Sequence, residues 1–549
     1  MAEQIRTSVL IAGGGPVGLV TAIELGRRGV ACVLLNDKPD TAFHPKANAI
    51  GSRTMEHFRR LGVAKAVRAS GLDDDHPTDV AYFTRLTGRE IARLHMPSRT
   101  DALRQARDGT SPWPSAEPPH RCSQIFLERC LKSRADEMRS ADIRFGWRLT
   151  AWREEKDRVV GTAEEVATGR TVEIAADYLV GADAGSSIVR KGLGIEYEGE
   201  SGVVRPFMGG SMLACYYRTR IDPAWLSVAR SWQYWIVAPD IRAVFIHVKS
   251  HDHMLFITNL PNGTDPRSID FAKLNRIAAG APVPMEIIST LPWTAGYSLV
   301  AQSFGRGRAF LAGDSAHLFT PTGGLGMNTG IDDAVNLAWK LAALVQGWGG
   351  AKLAATYETE RRPIGIRNVG YARTFAISVG TVPVTAAIEQ DTADGRAERA
   401  ALGARLNDHA FREFIIPGIQ LGLRYDGSPI VAPDGSPAPP DETTRYVQTA
   451  FPGGRAPHLW LEPDVSLHDR FGLDFTLLKL RGASERDAAD IADAARDRGV
   501  PLAVLEVPGD AARELYGAAL ALVRPDHHVA WRGARAADPA ALIDRVRGA

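Results

Sequence analysis

A glycine turn set between a strand pattern and a helix pattern leaves residues 7–36 few ways to fold. The apolar run SVLIAG enters the turn GGGPVG, the helix pattern VGLVTAIELGRRG follows, and VACVLLN closes the stretch as a second apolar strand. That order and length are those of a βαβ unit. Gly13, Gly15 and Gly18 satisfy G-x-G-x-x-G, with Pro16 and Val17 between them at the helix start. In such a turn Gly13 permits the tight bend and Gly15 lets a pyrophosphate approach the backbone. Gly18 lets the helix pack on the sheet, and the pyrophosphate rests on the helix N-terminus. The motif alone is weak; its setting between a strand and a helix makes it a dinucleotide turn. The second strand of such a unit normally ends on an acidic residue that takes the ribose hydroxyls. Asn36 stands there, followed by Asp37, and either side chain can serve.

A second loop raises the same question. GDSAHLFTPTGGLGMN, residues 313–328, follows the apolar run AFLA and precedes a helix pattern in which Ile331, Val335, Ala338 and Leu341 recur at helical spacing. An acidic residue at a strand end, glycines 323, 324 and 326, and bare backbone N–H groups at a helix start suit an electron-rich ligand. Read alone, the stretch is equally a surface connection between strand and helix. A third block, YLVGADAGSSIVRKGLGI (residues 178–195), is an apolar strand ending in Asp183, with a small-residue turn and Arg190 behind it.

At 549 residues the chain exceeds one ordinary core, so two or more domains are expected. Lysine plus arginine number 65 against 64 aspartates and glutamates, which leaves no global field to hold nucleic acid or an anionic membrane. A small-molecule substrate follows. Cys32, Cys122, Cys130 and Cys215 show neither C-x-x-C nor metal-ligand spacing, so no metal site and no disulfide framework is expected. The N-terminus reads without a leader, no apolar run is long enough for a bilayer span, and a cytoplasmic location is expected. Residues 100–120 are a Pro-rich loop, residues 195–295 a mainly β stretch, and residues 325–412 mainly helical. YDGSPIVAPDGSPAPPDETTR connects them to a separate α/β unit from about residue 450.

The three blocks, in this order, together with HPKANAIGSRTMEHFRRLGV (residues 44–63), resemble the single-component FAD-dependent aromatic hydroxylases. The resemblance includes the phenol-hydroxylating branch and the polyketide and rebeccamycin-pathway branch, and spans residues 7–375. GGRAPHLWL and LVRPDHHVAWR match the thioredoxin-like C-terminal domain that these branches carry without redox cysteines. It implies an α/β fold with a Rossmann-type FAD-binding domain (1–75, 120–190 and 296–380) and an inserted, mostly β substrate domain (76–119 and 191–295). A helical connection (381–412) and a thioredoxin-like domain (450–549) lacking C-x-x-C complete it. Without thiols, that last domain is read as a packing or assembly unit, with Arg524 and Trp531 structural.

The chemistry the resemblance implies is reduction of FAD by NADPH or NADH, capture of O2 as a flavin C4a-hydroperoxide, and oxygen transfer to a phenolic or polycyclic ring. It places Asp314 on the ribityl chain and Gly324, Gly326, Met327 and Asn328 at the pyrimidine edge of the flavin. Gln124 falls beside the flavin and Asp183 in the block shared with the nicotinamide. Lys46 stands near the pyrophosphate, where the family usually has arginine; lysine keeps the charge without the bidentate geometry. Two departures are visible: Ala184 stands where the family reads glycine, and Asn48 where some phenol-acting relatives place histidine. Asn48 cannot act as a base, and His247 and His253 are the other candidates for that role. Trp232, Trp235, Phe245, Trp293 and Pro321 are candidate substrate-pocket residues, each also readable as ordinary core or loop. A flavin oxidase or reductase without oxygen insertion is the alternative reading, a non-enzymatic FAD-binding protein a further one, and a homodimer is left open.

Overall fold

The computed structural model describes residues 4–219, 229–249, 252–261 and 263–549. Its first strand, Gln4–Ala12, pairs in parallel with Thr171–Gly181 on one side and Cys32–Asn36 on the other. Ala309–Leu311 and Ala141–Phe145 extend the sheet outward, and the hairpin Trp147–Glu154/Val159–Glu165 joins it antiparallel. Val9, Leu10 and Ile11 are fully buried because a parallel strand is covered on both faces, which is why it reads as an unbroken apolar run. Helix Pro16–Arg27 packs on this sheet between helix Gln124–Asp136 and the long helix Leu325–Val345.

A second sheet of seven strands follows the order Glu286–Ala295, Gly210–Arg218, His253–Asn259, Arg242–Lys249, Gln233–Val237, Val80–Phe83, Glu90–Leu94. The segment 80–94 thus adds two strands to the 210–295 meander, entering by a parallel pairing of Val80–Phe83 with Gln233–Val237. Side chains alternate between the faces. Tyr82, Met212, Tyr216, Trp235, Val244 and Ile246 form the near face. Phe83, Tyr217, Tyr234, Phe245 and Phe256 form the far face, covered by helix Phe271–Ala279.

Helix Ala393–Phe414 does more than connect. Leu402, Leu406, Ala410 and Phe414 join the near-face cluster, and Glu413 accepts the Gly323 N–H at 2.8 Å, so the helix ties the β sheet to the second glycine loop. The last unit is a four-stranded sheet, Leu502–Val507, Phe475–Leu480, Leu520–Val523, Val529–Gly533, with the first pair parallel and the others antiparallel. Its helices Glu485–Asp497 and Pro539–Val546 cover one face in thioredoxin-like fashion, and that core includes Trp339 and Trp348 of the Rossmann-type domain. Among the described residues no helix is long and apolar enough to cross a membrane.

Candidate active site

The first glycine turn is shaped by what its neighbours exclude. Gly13 has φ +111°, and a Cβ there would lie 2.1 Å from the Ala182 carbonyl oxygen; on Gly18 it would lie 1.8 Å from the Gly13 oxygen. Gly15 instead has nothing within 4 Å of that position, so its backbone faces open space at the start of helix Pro16–Arg27. That helix has no capping side chain and no acid in its first turn, so its N–H groups remain for a ligand phosphate. Asn36 accepts the Gly14 N–H (3.3 Å) and donates to the Lys38 carbonyl (3.2 Å). Asn36 therefore braces the turn, and Asp37, exposed beside Lys38 at 2.9 Å, is the accessible acceptor at this strand end.

The second loop is locked onto the first. Cβ atoms on Gly313 and on Gly330 would each lie 2.8 Å from Val17 Cγ2, so the first turn of helix Pro16–Arg27 sits directly on both. Asp314 is thereby held beside that helix. Its carboxyl is open to the cleft but crowded on its other sides, and this desolvation raises it above the usual carboxylate range. Tyr197 donates to the Asp314 carbonyl at 2.6 Å, and the Arg190 guanidinium lies 4.0 Å over the Tyr197 ring, so the third block buttresses this turn. Gly323 and Gly324 have φ of +72° and +62°, a left-handed pair that swings the chain into helix Leu325–Val345. The helix starts with neither a capping side chain nor an acid in its first turn. Asn328 accepts the Gly51 N–H (2.8 Å) and donates to the Ala49 (3.0 Å) and Gly324 (2.6 Å) carbonyls. Its side chain clamps segment 49–51 to the loop, while the backbone at Gly326 and Met327 stays partly open.

Beneath the loop runs a buried ionic chain that the sequence reading passed over. His317 Nε2 meets Asp333 at 2.6 Å, Arg361 bridges Asp333 and Asp332 at 2.8 Å each, and His57 meets Asp332 at 2.7 Å. Burial alone would raise both carboxyls; Arg361 and His57 around Asp332, and His317 and Arg361 around Asp333, outweigh it and hold both below the usual range. The available signal was IDDAV, two adjacent acids in an otherwise apolar helix.

The remaining predicted residues fall on different sides of the cleft. The Gln124 amide donates to Glu128 at 2.6 Å, and Lys46 is exposed without an ion pair among the described residues. Asn48 leaves its side-chain oxygen buried with no hydrogen-bond partner. His44 is bound to Ser289 at 2.8 Å, and burial, then Lys46, lowers its imidazole to about 4. Trp232 and Trp235 belong to the near-face cluster, half-buried Trp293 packs against it on the outermost strand, and Pro321 is exposed in the loop. Phe245 and His247 do not join them. Phe245 is paired with Tyr234 one position out of phase with Trp235, and His247 lies against the Tyr234 and His76 rings, so strand alternation turns both to the far face. His253 is hydrogen-bonded to Tyr216 at 2.7 Å. Asp183 accepts the Ile188 N–H at 2.8 Å and so caps the short helix behind the third block.

Ala184 keeps the turn at a cost. Its φ is +65°, a region where a Cβ is disfavoured by about 1–2 kcal/mol, and it is exposed, so added space is irrelevant. Ala184→Gly is expected to stabilise the protein by about 0.5–1 kcal/mol after allowance for the freer unfolded chain; a lowered thermal midpoint would refute this.

An open phosphate-facing turn, an accessible acid beside it and a second bare helix end under an apolar sheet define a flavoprotein with a covered ring site. A profile described as FAD binding domain matches residues 6–372, and one described as aromatic-ring hydroxylase, C-terminal, matches residues 449–548. The FAD-dependent monooxygenase apdD of Emericella nidulans is 32% identical, over 96% of this chain and 87% of that one. The rebeccamycin biosynthetic enzyme RebC, solved with reduced flavin, is 34% identical with a TM-score of 0.88 over 99% of both chains. The monooxygenase PieE, solved with FAD and substrate, is 30% identical with a TM-score of 0.87 over 100% of both. The chain belongs to the FAD-dependent monooxygenase and aromatic-ring hydroxylase family. It is a flavoenzyme whose cofactor is FAD.

Proposed function

We propose that the protein hydroxylates a phenolic or polycyclic aromatic substrate, consuming NAD(P)H, a proton and O2 and releasing the hydroxylated ring, NAD(P)+ and water. Bound FAD supplies the redox chemistry, taking a hydride from the nicotinamide and passing one oxygen atom of O2 to the ring. The observation that carries this reading is the apolar near face, with Trp232, Trp235, Phe207 and Met212, joined through Ala49 and Glu413 to the glycine loop. An apolar roof excludes water from the reacting ring, which a simple electron carrier does not need. Gly15 and helix Pro16–Arg27 would hold the pyrophosphate, Asp37 the ribose and Asp314 the ribityl hydroxyls. The N–H groups around Gly326 and Met327 would stabilise negative charge on the reduced ring. Of the two candidate bases, His253 is hydrogen-bonded to Tyr216 and His247 lies on the far side, so neither is placed to take a ring proton. The ring is therefore activated by its own substituents, with the unpaired Asn48 oxygen orienting a hydroxyl rather than removing its proton.

The test is NAD(P)H oxidation by the FAD-loaded protein over a panel of phenols and polycyclic aromatics under ¹⁸O2. Stimulated oxidation with one labelled oxygen in the product is expected. A product oxidised without label would instead make the protein an oxidase.

A further inference from the structure

Arg121 differs from the fully enclosed arginines of the core. Arg361, Arg455 and Arg524 each face at least one carboxylate. Arg121 is 8% exposed and, among the described residues, its guanidinium makes no hydrogen bond and no ion pair. Its guanidinium lies over the Trp232 ring, with its central carbon 4.1 Å from the ring centre. Desolvation pushes it down to about 10, so it is still charged at neutral pH with nothing to balance it.

Its position follows from the strand pair Ala49–Ile50/His120–Arg121, in which Arg121 is opposite Ala49. Residues directly opposite in an antiparallel ladder point to the same face. Ala49 is the residue against which Gly324 of the glycine loop is packed, since a Cβ on Gly324 would lie 2.9 Å from the Ala49 Cβ. Arg121 thus projects toward the near-face cluster that contains Trp232, and it lines a recess open to solvent together with Leu72, Met96, Trp113 and Arg99. Arg99 is already held by Asp74 and by the Arg68 carbonyl. Asp73, also on the wall, is exposed at its edge.

Three more polar atoms of the same apolar cluster are buried without partners: Trp113 Nε1, Trp232 Nε1 and the Tyr82 hydroxyl. Native interiors leave few such groups unpaired, and a buried cation without a counter-charge is more costly still. The indoles and the guanidinium can only donate. What is missing is an acceptor, and beside a guanidinium the fitting acceptor is an anion.

Building on the aromatic hydroxylase reading, we infer that Arg121 recognises an anionic oxygen on the aromatic substrate, a carboxylate or an ionised ring hydroxyl, with Trp113, on the wall of the same recess, as its neutral co-donor. The aromatic body lies in the apolar recess and the anion is the group by which the substrate is selected.

Binding to the FAD-loaded enzyme is measured by equilibrium dialysis with four probes: 2-naphthoate, 2-naphthamide, 2-naphthol and 2-methoxynaphthalene. Wild type is expected to prefer the acid over the amide, or the naphthol over its methyl ether, by about tenfold or more. Arg121→Gln is expected to erase that preference while leaving the neutral probes and the FAD content unchanged, and Arg121→Lys to restore part of it. Which pair shows the preference tells a carboxylate from a ring hydroxyl. Equal binding within both pairs in wild type overturns the inference even if the variants fail to fold, and so does a preference that survives in Arg121→Gln. Failure of the hydroxylase reading would look different: the charge preference would stand while no labelled oxygen reached any product.

Discussion

Asp314→Ala is expected to yield a folded protein that loses its FAD on gel filtration, with affinity reduced about ten- to a hundredfold. The carboxylate accepts no hydrogen bond from the protein among the described residues; only its backbone carbonyl does, from Tyr197. Its acceptor capacity is therefore free for the ribityl hydroxyls that the proposed site assigns to it. A hydrogen bond to a charged acceptor contributes about 1.5–3 kcal/mol, which gives that range of affinity. Because no protein donor loses a partner, the melting midpoint of the FAD-free protein should stay within about 0.5 kcal/mol of wild type. Fluorescence titration with FAD and a thermal melt of the stripped protein check both halves. Unchanged FAD affinity would remove Asp314 from the site.

The same contrast between open and filled positions explains how far the sequence could be read. Glycine turns were legible because their chemistry is local: Gly13 and Gly18 are forced by the carbonyls of Ala182 and Gly13, and only a glycine fits. The parallel strands were legible because burial on both faces removes polar residues altogether. Facing in the second sheet was not, since Trp232 to His247 are nearly all apolar or aromatic and alternation leaves no polar mark of which face meets the cleft. Phe245 and His247 were misplaced for that reason. Asn36 stands at the chain position of a ribose ligand, and no spacing rule shows that its amide also braces Gly14. Hydrogen bonds such as the Gly323 N–H to Glu413 and His57 with Asp332 join residues distant in sequence, and no spacing rule announces them. Arg121 was invisible for the opposite reason: what distinguishes it is the partner it lacks.

The C-terminal hairpin LVRPDHHVAWR gives the largest expected stability effect. Its Arg524 reaches out of its own sheet to bond both oxygens of Glu360, at 2.6 and 2.8 Å, and turns back to Asp526 at 2.7 and 3.0 Å. Lys340 completes the cluster at 2.6 Å from Glu360, and Arg524, Glu360 and Lys340 are all fully enclosed. Burial would raise the Glu360 and Asp526 carboxyls, but Arg524, with Lys340 beside Glu360, holds Glu360 well below its ordinary value and lowers Asp526 too. Burial lowers Lys340 itself to about 8. Arg524→Met removes the charge that two buried carboxylates share and leaves Lys340 to balance both. The expected cost is about 3–5 kcal/mol, the usual result of breaking a buried pair on one side, read as a fall in the urea midpoint at pH 7. The sign of its pH dependence follows from depressed carboxyls. Their stabilisation is present above the unfolded value, near pH 4.5 for Glu360, and is lost as pH falls toward the folded value. In the variant those carboxyls are no longer held down, so its deficit relative to wild type should be largest near neutrality and shrink in acid. A deficit independent of pH between 4 and 7 would mean that Arg524 acts by packing on Trp339 and Tyr425 rather than by charge. Glu360 and Asp526 also bind Asn336, on the same long helix whose first turn faces the flavin loop, so loosening this seat should weaken FAD retention along with the fold.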